Sequence, residues 1–174
     1  MPKIIENVRE RAIAEAREVL AREGYAAMTV RRVAKALGIA PATIYNYFPS
    51  KEDLAACVML EDWQELTGNI GGGDALPAEE TVRVLYGMVR RFTETYELSW
   101  AQYETEGSAA PMRRRYHSVL VEQLAGYIRA AMAPEEAEKE PWRAAFLAEL
   151  VLRFGSDGNS TYGDMEPAVR KILS

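Results

Sequence analysis

Four side chains with hydrogen-bonding chemistry stand within five residues of one another. They are Thr43, Tyr45, Asn46 and Tyr47, in the run APATIYNYFPSK that ends at Lys51. An asparagine amide can pair bidentately with adenine, and a threonine can bond a base edge or touch a thymine methyl group. Tyrosine hydroxyls and a lysine ammonium suit phosphate oxygens. Pro41 and Ala42 add apolar contact only. Upstream, Thr29 opens a second short segment followed by Arg31 and Arg32. There, free backbone N–H groups, the threonine and either arginine can grip a phosphate, although both arginines read equally well as plain surface residues. The chemistry on offer is non-covalent recognition of nucleic acid.

Catalytic chemistry has no comparable constellation. His117, the single histidine, has no carboxylate or cysteine motif beside it, and HExxH, CxxC, GxSxG and Walker patterns are absent. The expectation is therefore no catalytic residue, no metal and no cofactor: the chain reads as not an enzyme.

The recognition residues need elements to hold them. Thr29 can cap a helix by accepting a hydrogen bond from a first-turn N–H. Val30, Val33, Ala34 and Leu37 then share one face at helical spacing. Gly38 can close that helix in the left-handed conformation. Ile39 follows as an apolar anchor, and Pro41 suits the first turn of a second helix running to Phe48. Ile44 and Phe48 turn to the core, leaving Thr43, Tyr45, Asn46 and Tyr47 outward. Pro49-Ser50 breaks this helix and Ser50 caps the next at Lys51. Two helices about a glycine turn make a helix-turn-helix over residues 29–48, or an ordinary helical corner; periodicity alone does not separate the two.

Residue identities go further. The run from Arg11 to Leu54 resembles the N-terminal domain of the TetR family of transcriptional regulators. The resemblance rests on Ile13, Ala16, Leu20, Gly24-Tyr25, Thr29-Val30, Val33-Ala34, Gly38-Ile39, Thr43-Ile44-Tyr45, Tyr47-Phe48, Lys51 and Leu54. It implies an all-α chain: a three-helix DNA-binding domain with a helix-turn-helix at 6–66, and a helical effector-binding and dimerisation domain at 67–174. The helix from Pro41 would be the recognition helix, and Lys51 a phosphate contact. Ala40 and Ala42 depart from the family, which often has a serine cap and a glycine there; Pro41 can compensate by pre-setting the backbone.

Charge fits that division. Residues 1–51 hold nine Lys/Arg and five Asp/Glu, a net of +4, whereas 52–174 hold twelve and twenty-one, a net of −9. A basic end on an acidic remainder is what a chain needs when one end alone meets phosphate. Hydrophobic residues at 48% are ordinary for a globular protein. No apolar run reaches the roughly 18–20 residues that span a bilayer, and the N-terminus lacks a signal peptide's apolar core. One cysteine, Cys57, excludes an internal disulfide framework, which fits the cytoplasm.

Along the chain, residues 1–23 read as the first helix and 51–70 as a long fourth. Its Leu54 and Val58 would face the DNA-binding domain; Met59, Trp63, Leu66 and Ile70 would face the second domain. GNIGGGDALP, residues 68–77, reads as a flexible connector and not a phosphate loop, since it lies between helices. Helices follow from Pro77 to about Leu98, across 99–103, from Pro111 to Met132 and from Trp142 to Phe154. Residues 134–141 read as an acidic loop, and a short helix follows Pro167.

Trp63, Tyr86, Phe92, Tyr96, Trp100, Tyr103, Tyr116, His117, Leu120 and Phe146 are the candidate lining of a small-molecule pocket, or simply core. Glu104 and Glu106 beside Trp100 and Tyr103 would favour a cationic aromatic ligand. The helix from Trp142 is apolar on two sides and must bury both, which assigns Phe146, Leu150, Arg153 and Phe154 to a dimer interface. The expectation from the sequence is a ligand-responsive repressor. It would bind a pseudo-palindromic operator as a homodimer and be released by a small-molecule effector whose identity the residues do not give. The alternatives are a helical ligand-binding or scaffold protein that does not read DNA, and an enzyme with an unmarked pocket.

Overall fold

The computed structural model describes residues 7–68, 70, 76–96, 99 and 109–174, with backbone alone for 109–116. Among these residues there are nine helices and no strand: α1 (Val8–Glu23), α2 (Val30–Leu37), α3 (Pro41–Tyr45), α4 (Lys51–Thr67), α5 (Ala78–Thr95), α6 (Ala109–Ala131), α7 (Pro134–Lys139), α8 (Trp142–Ser156) and α9 (Tyr162–Leu173). No helix among them is long and apolar enough to cross a membrane.

The described residues form two compact units. The first holds residues 7–65 together with Thr95, Tyr96 and Ser99; the second holds 66–94 and 109–174. The sequence places one boundary, at 66/67. The chain passes between the compact units within α4 and again at the end of α5, so Tyr96 and Ser99 fall in the same unit as the N-terminal helices.

In the first unit α1, α2 and α3 pack on one another. Ala12, Ile13, Ala16, Val19 and Leu20 recur at helical spacing along α1 and are buried, as are Val30, Val33 and Ala34 on α2, Ile44 on α3 and Phe48 just beyond it. Tyr25 and Met28 fill the space under the α1–α2 connection and are fully buried. At roughly 1.5–3 kcal/mol for each large apolar side chain, this cluster is what holds three short helices that would not persist alone. In the second unit α6 and α9 pack on α8. Leu124 and Ile128 of α6, Leu147 and Val151 of α8 and Val169 of α9 are all closed to solvent. Arg90 of α5 donates to the carbonyls of Asp157 at 2.5 Å and Gly158 at 2.8 Å, satisfying acceptors just past the end of α8.

Several boundaries differ from the sequence expectation. α3 ends at Tyr45, and Asn46 to Phe48 continue as a tight turn in which Tyr47 and Phe48 still donate to Ile44 O. α4 ends at Thr67, before the glycine run. The expected acidic loop contains α7, because Pro134 sits at its first turn and Glu135 and Glu136 favour the positive end of a helix. The last helix starts at Tyr162, not after Pro167. Asp164 accepts from Thr161 N at 2.7 Å in a reciprocal capping box, and this start outweighs the one backbone bond that Pro167 cannot make. The expected short helix at 99–103 lies outside the described residues except for Ser99.

Candidate nucleic-acid interface

Thr29 is extended (φ −134°, ψ 147°), and its hydroxyl accepts from Arg32 N at 3.1 Å. This cap fixes where α2 begins and leaves the N–H groups of its first turn directed out of the helix end. Gly38 is left-handed (φ 69°, ψ 33°). Its N–H donates to Lys35 O at 3.1 Å and Ile39 N–H to Ala34 O at 3.0 Å, the doubled bonding that ends a helix and turns the chain sharply. Ala40 offers no side-chain cap, and its backbone (φ −72°, ψ 142°) leads straight into Pro41 at the first position of α3. The fixed proline φ does locally what a capping hydroxyl would otherwise do.

The result is a short helix with two contrasting sides. Ile44 is fully buried and Phe48 nearly so. Pro41, Ala42 and Asn46 are exposed and Thr43 is half-buried. Tyr45 and Tyr47 are 50% and 49% exposed, a large aromatic area that the core does not use. Ser50 caps α4 by accepting from Asp53 N at 3.1 Å, which sets Lys51 at the first position of that helix.

The cations are arranged unequally. Arg31 is exposed. Arg32 is engaged: its guanidinium donates to both oxygens of Glu23, to Oε2 at 2.8 Å, and joins the end of α1 to the start of α2. The hydrogen bond to Arg32 holds the Glu23 carboxyl below its ordinary range. Lys51 is half-buried, with its ammonium 3.7 Å from the centre of the Tyr25 ring. The Tyr25 hydroxyl donates to Glu52 Oε1 at 2.9 Å. Partial burial works against the charge on Glu52. Its own backbone N–H and the hydroxyls of Tyr25 and Ser50 outweigh that and keep its carboxyl below the usual range. The sequence alone reads Tyr25 as core and gives Glu52 no role.

Behind the helix-turn-helix, α1 is fastened to α4. Arg9 Nη1 meets Glu61 at 3.1 Å, and Arg17 Nε donates to Asp62 Oδ1 at 2.5 Å. Tyr96, just past α5, donates its phenol to the other oxygen of Asp62, and Ser99 Oγ donates to Leu20 O at 2.9 Å. A shallow groove on this unit is lined by Arg11, Glu15, Arg17, Glu18, Ala14 and Leu37. Its mixed charges converge on no single chemistry.

The residues expected to line a pocket are distributed as follows. Trp63 and Tyr96 are buried in the first unit. Tyr86 is half-buried in the second unit, donates to Ser160 O at 2.9 Å and meets the Tyr162 ring edge-on at 5.7 Å. Phe92 and Leu120 are half-buried. His117 of α6 is exposed and lies 3.1 Å from Glu149 of α8. Trp100, Tyr103, Glu104, Glu106 and the side chain of Tyr116 lie outside the described residues. Of the expected dimer residues, Phe146 is 50% exposed and stacks edge-on with the 54% exposed Trp142 at 6.3 Å; Arg153 is exposed and Leu150 and Phe154 are half-buried.

Residues 12–58 match the family described as bacterial regulatory proteins, tetR family. No curated protein matches the chain. Solved structures do. The Salmonella enterica GusR structure has a TM-score of 0.62 at 19% identity, over 98% of this chain and 96% of that one. A TetR transcriptional regulator from Rhodococcus sp. RHA1 has 0.60 at 20%, over 95% and 93%. A third, from Legionella pneumophila, has 0.54 at 20%, over 98% and 100%. At these identities the structural likeness speaks for the fold.

Proposed function

We propose that this chain, a member of the TetR family of transcriptional regulators, is a ligand-responsive repressor that binds a pseudo-palindromic operator as a homodimer. Residues 6–66 form the DNA-binding domain in this reading, and 67–174 the effector-binding and dimerisation domain. One observation carries it. α3 buries Ile44 and, through the turn after it, Phe48, while Tyr45, Asn46 and Tyr47 stand exposed on the basic end of the chain. Thr43 and Asn46 then read base edges. Thr29, Arg31, Tyr45, Tyr47 and Lys51 hold phosphates, and Pro41 and Ala42 make apolar contact. Arg32, bound to Glu23, fixes the angle between α1 and α2.

A second copy of the chain supplies the second reading head. The exposed Trp142–Phe146 pair on α8, with Leu150, Arg153 and Phe154 beyond it, supports this helix as the place where the copies meet. Two recognition helices entering successive major grooves require half-site centres roughly 34–36 Å apart. A small-molecule effector in the second domain favours a dimer that no longer matches that spacing. Operator DNA then weakens effector binding by the same factor.

The test is fluorescence anisotropy with labelled intergenic DNA from upstream of the chain's own gene, against a scrambled duplex of equal length. Binding of the natural duplex roughly a thousandfold or more tighter at physiological salt is expected, within the usual range of specific over non-specific affinity. Equal affinities for the two duplexes would refute sequence-specific regulation at that site.

A further inference from the structure

Glu23 and Arg32 face each other across the α1–α2 connection, as the last residue of one helix and the third of the next. The guanidinium donates through Nη1 to Glu23 Oε2 at 2.8 Å and through Nη2 to Oε1, so one fork holds both carboxylate oxygens. That two-pronged geometry is the one an arginine offers a phosphate. Arg32 also belongs to the end of α2 read above as meeting the DNA backbone. Its N–H donates to Thr29 Oγ1 at 3.1 Å, and side chains on a helix lean towards its N-terminus. The Arg32 and Glu23 side chains are 41% and 48% exposed, so the pair is open to exchange. The neighbouring charges are Glu15, which also attracts Arg32, and Arg22, which attracts Glu23. A phosphate that took Arg32 from Glu23 would trade one bidentate anion for another and leave the carboxylate bare beside a like charge. That exchange gains little.

We propose that Glu23 is an internal stand-in for DNA phosphate: it occupies the guanidinium fork of Arg32 and withholds that cation from the backbone of bound DNA. This rests on the reading of the α2 start as a phosphate contact, and the experiment separates the two. Affinity of the full-length protein for a mixed-sequence duplex is measured across a salt series for wild type, Glu23→Gln, Arg32→Met and the Glu23→Gln/Arg32→Met double variant. The slope of log K against log salt counts the phosphates neutralised, whatever a variant does to the angle between α1 and α2. Glutamine keeps the shape and one acceptor oxygen but not the charge, so an arriving phosphate displaces it from Arg32. Glu23→Gln therefore steepens the slope by about 0.9 for each head engaged, and its advantage over wild type grows about threefold per head between about 200 and about 50 mM salt. Arg32→Met leaves the slope at the wild-type value, because the held arginine neutralises no phosphate. In the Arg32→Met background, Glu23→Gln no longer steepens it.

A wild type with no salt-dependent binding to the duplex refutes the DNA-binding reading and takes the proposal with it. Where wild type binds, an unchanged slope in Glu23→Gln overturns the proposal alone. So does a slope lowered by about 0.9 per head in Arg32→Met, which would put the arginine on a phosphate despite Glu23. Equal steepening by Glu23→Gln with and without Arg32 would mean that the carboxylate repels DNA by its own charge, and overturns the proposal too. Should Arg32→Met not fold, Arg32→Gln takes its place in both arms.

Discussion

Gly38→Ala isolates what the turn between α2 and α3 demands of the backbone. The residue lies at φ 69°, and a Cβ built on it meets no atom within 4 Å. Overlap therefore contributes nothing, and the cost is conformational. A left-handed L-residue is disfavoured by about 1–2 kcal/mol. Moving out of that conformation would forfeit the Gly38 N–H to Lys35 O and Ile39 N–H to Ala34 O bonds, at 3.1 and 3.0 Å, and would swing α3 away from its partners. Two bonds at about 0.5–1.5 kcal/mol each, together with the burial of Ile44, outweigh the strain, so the variant keeps the turn and absorbs the cost. Alanine's smaller unfolded-state entropy offsets about 0.4–1 kcal/mol, leaving a net loss of about 1 kcal/mol. For a chain of this size that lowers Tm by about 2–4 °C. Thermal unfolding followed by circular dichroism measures it, with Gly38→Asn as the companion, since asparagine tolerates the left-handed region and loses less. Because the folded geometry is retained, DNA affinity at 25 °C stays within about twofold, well under the tenfold that 1.4 kcal/mol would give. An unchanged or raised Tm for Gly38→Ala, or equal losses for alanine and asparagine, refutes the reasoning.

Three further outcomes follow from other parts of the molecule. Asn46→Ala relaxes base preference at one half-site position, whereas Lys51→Ala weakens all sequences alike and flattens the salt dependence; competition binding across a set of operator variants separates these, and matching specificity losses would count against the assignment. The Tyr96 phenol is pushed above its ordinary value of 10.0 by burial and by its bond to Asp62. It stays protonated in the folded state while the unfolded chain ionises, so its contribution is complete below pH 10 and is lost as pH rises above that. The stability difference between wild type and Tyr96→Phe should accordingly shrink between about pH 9 and 11, read from urea midpoints, and a constant difference would contradict it. In the second unit, Gly155→Ala places a Cβ 2.7 Å from Val89 Cγ1 and 2.8 Å from its Cβ, whereas Gly87→Ala meets nothing within 4 Å. Overpacking of about 1–3 kcal/mol exceeds the helix gain of about 1 kcal/mol at the first site, while the second gains about 0.5–1 kcal/mol. The two melting temperatures should move in opposite directions, and the reverse order would be decisive against this.

The recognition segment was legible because its determinants are local. Thr29, Gly38, Pro41 and Ser50 each act on a backbone only a few residues away, and the structure bears out three of the four directly in cap or turn geometry. The proline acts where it stands, at the first position of α3. Ile44 and Phe48 turn inward because helical spacing leaves them no other side. Where two local signals competed, the stronger set the start: Pro167 suggests a helix start, yet the capping box three to six residues earlier opens α9 first.

Partnerships across the chain were not legible, and Tyr96 shows why. Helical periodicity places it on the apolar face of α5 with Val82, Leu85, Val89 and Phe92, which suggests a common destination in the second unit. The spacing says which residues share a face but not how far one cluster extends before another begins. α5 leaves the second unit at Thr95, and Tyr96 falls on the other side of that limit, donating to Asp62 beside Arg17. α4 and α5 are the two described helices at which the chain passes between units, and Asp62 and Tyr96 lie at the first-unit end of each. One carboxylate thus ties both passages to α1, the helix on which α2 and α3 are packed. Tyr96, which spacing reads as pocket lining or core, is buried in the first unit and bonded to Asp62.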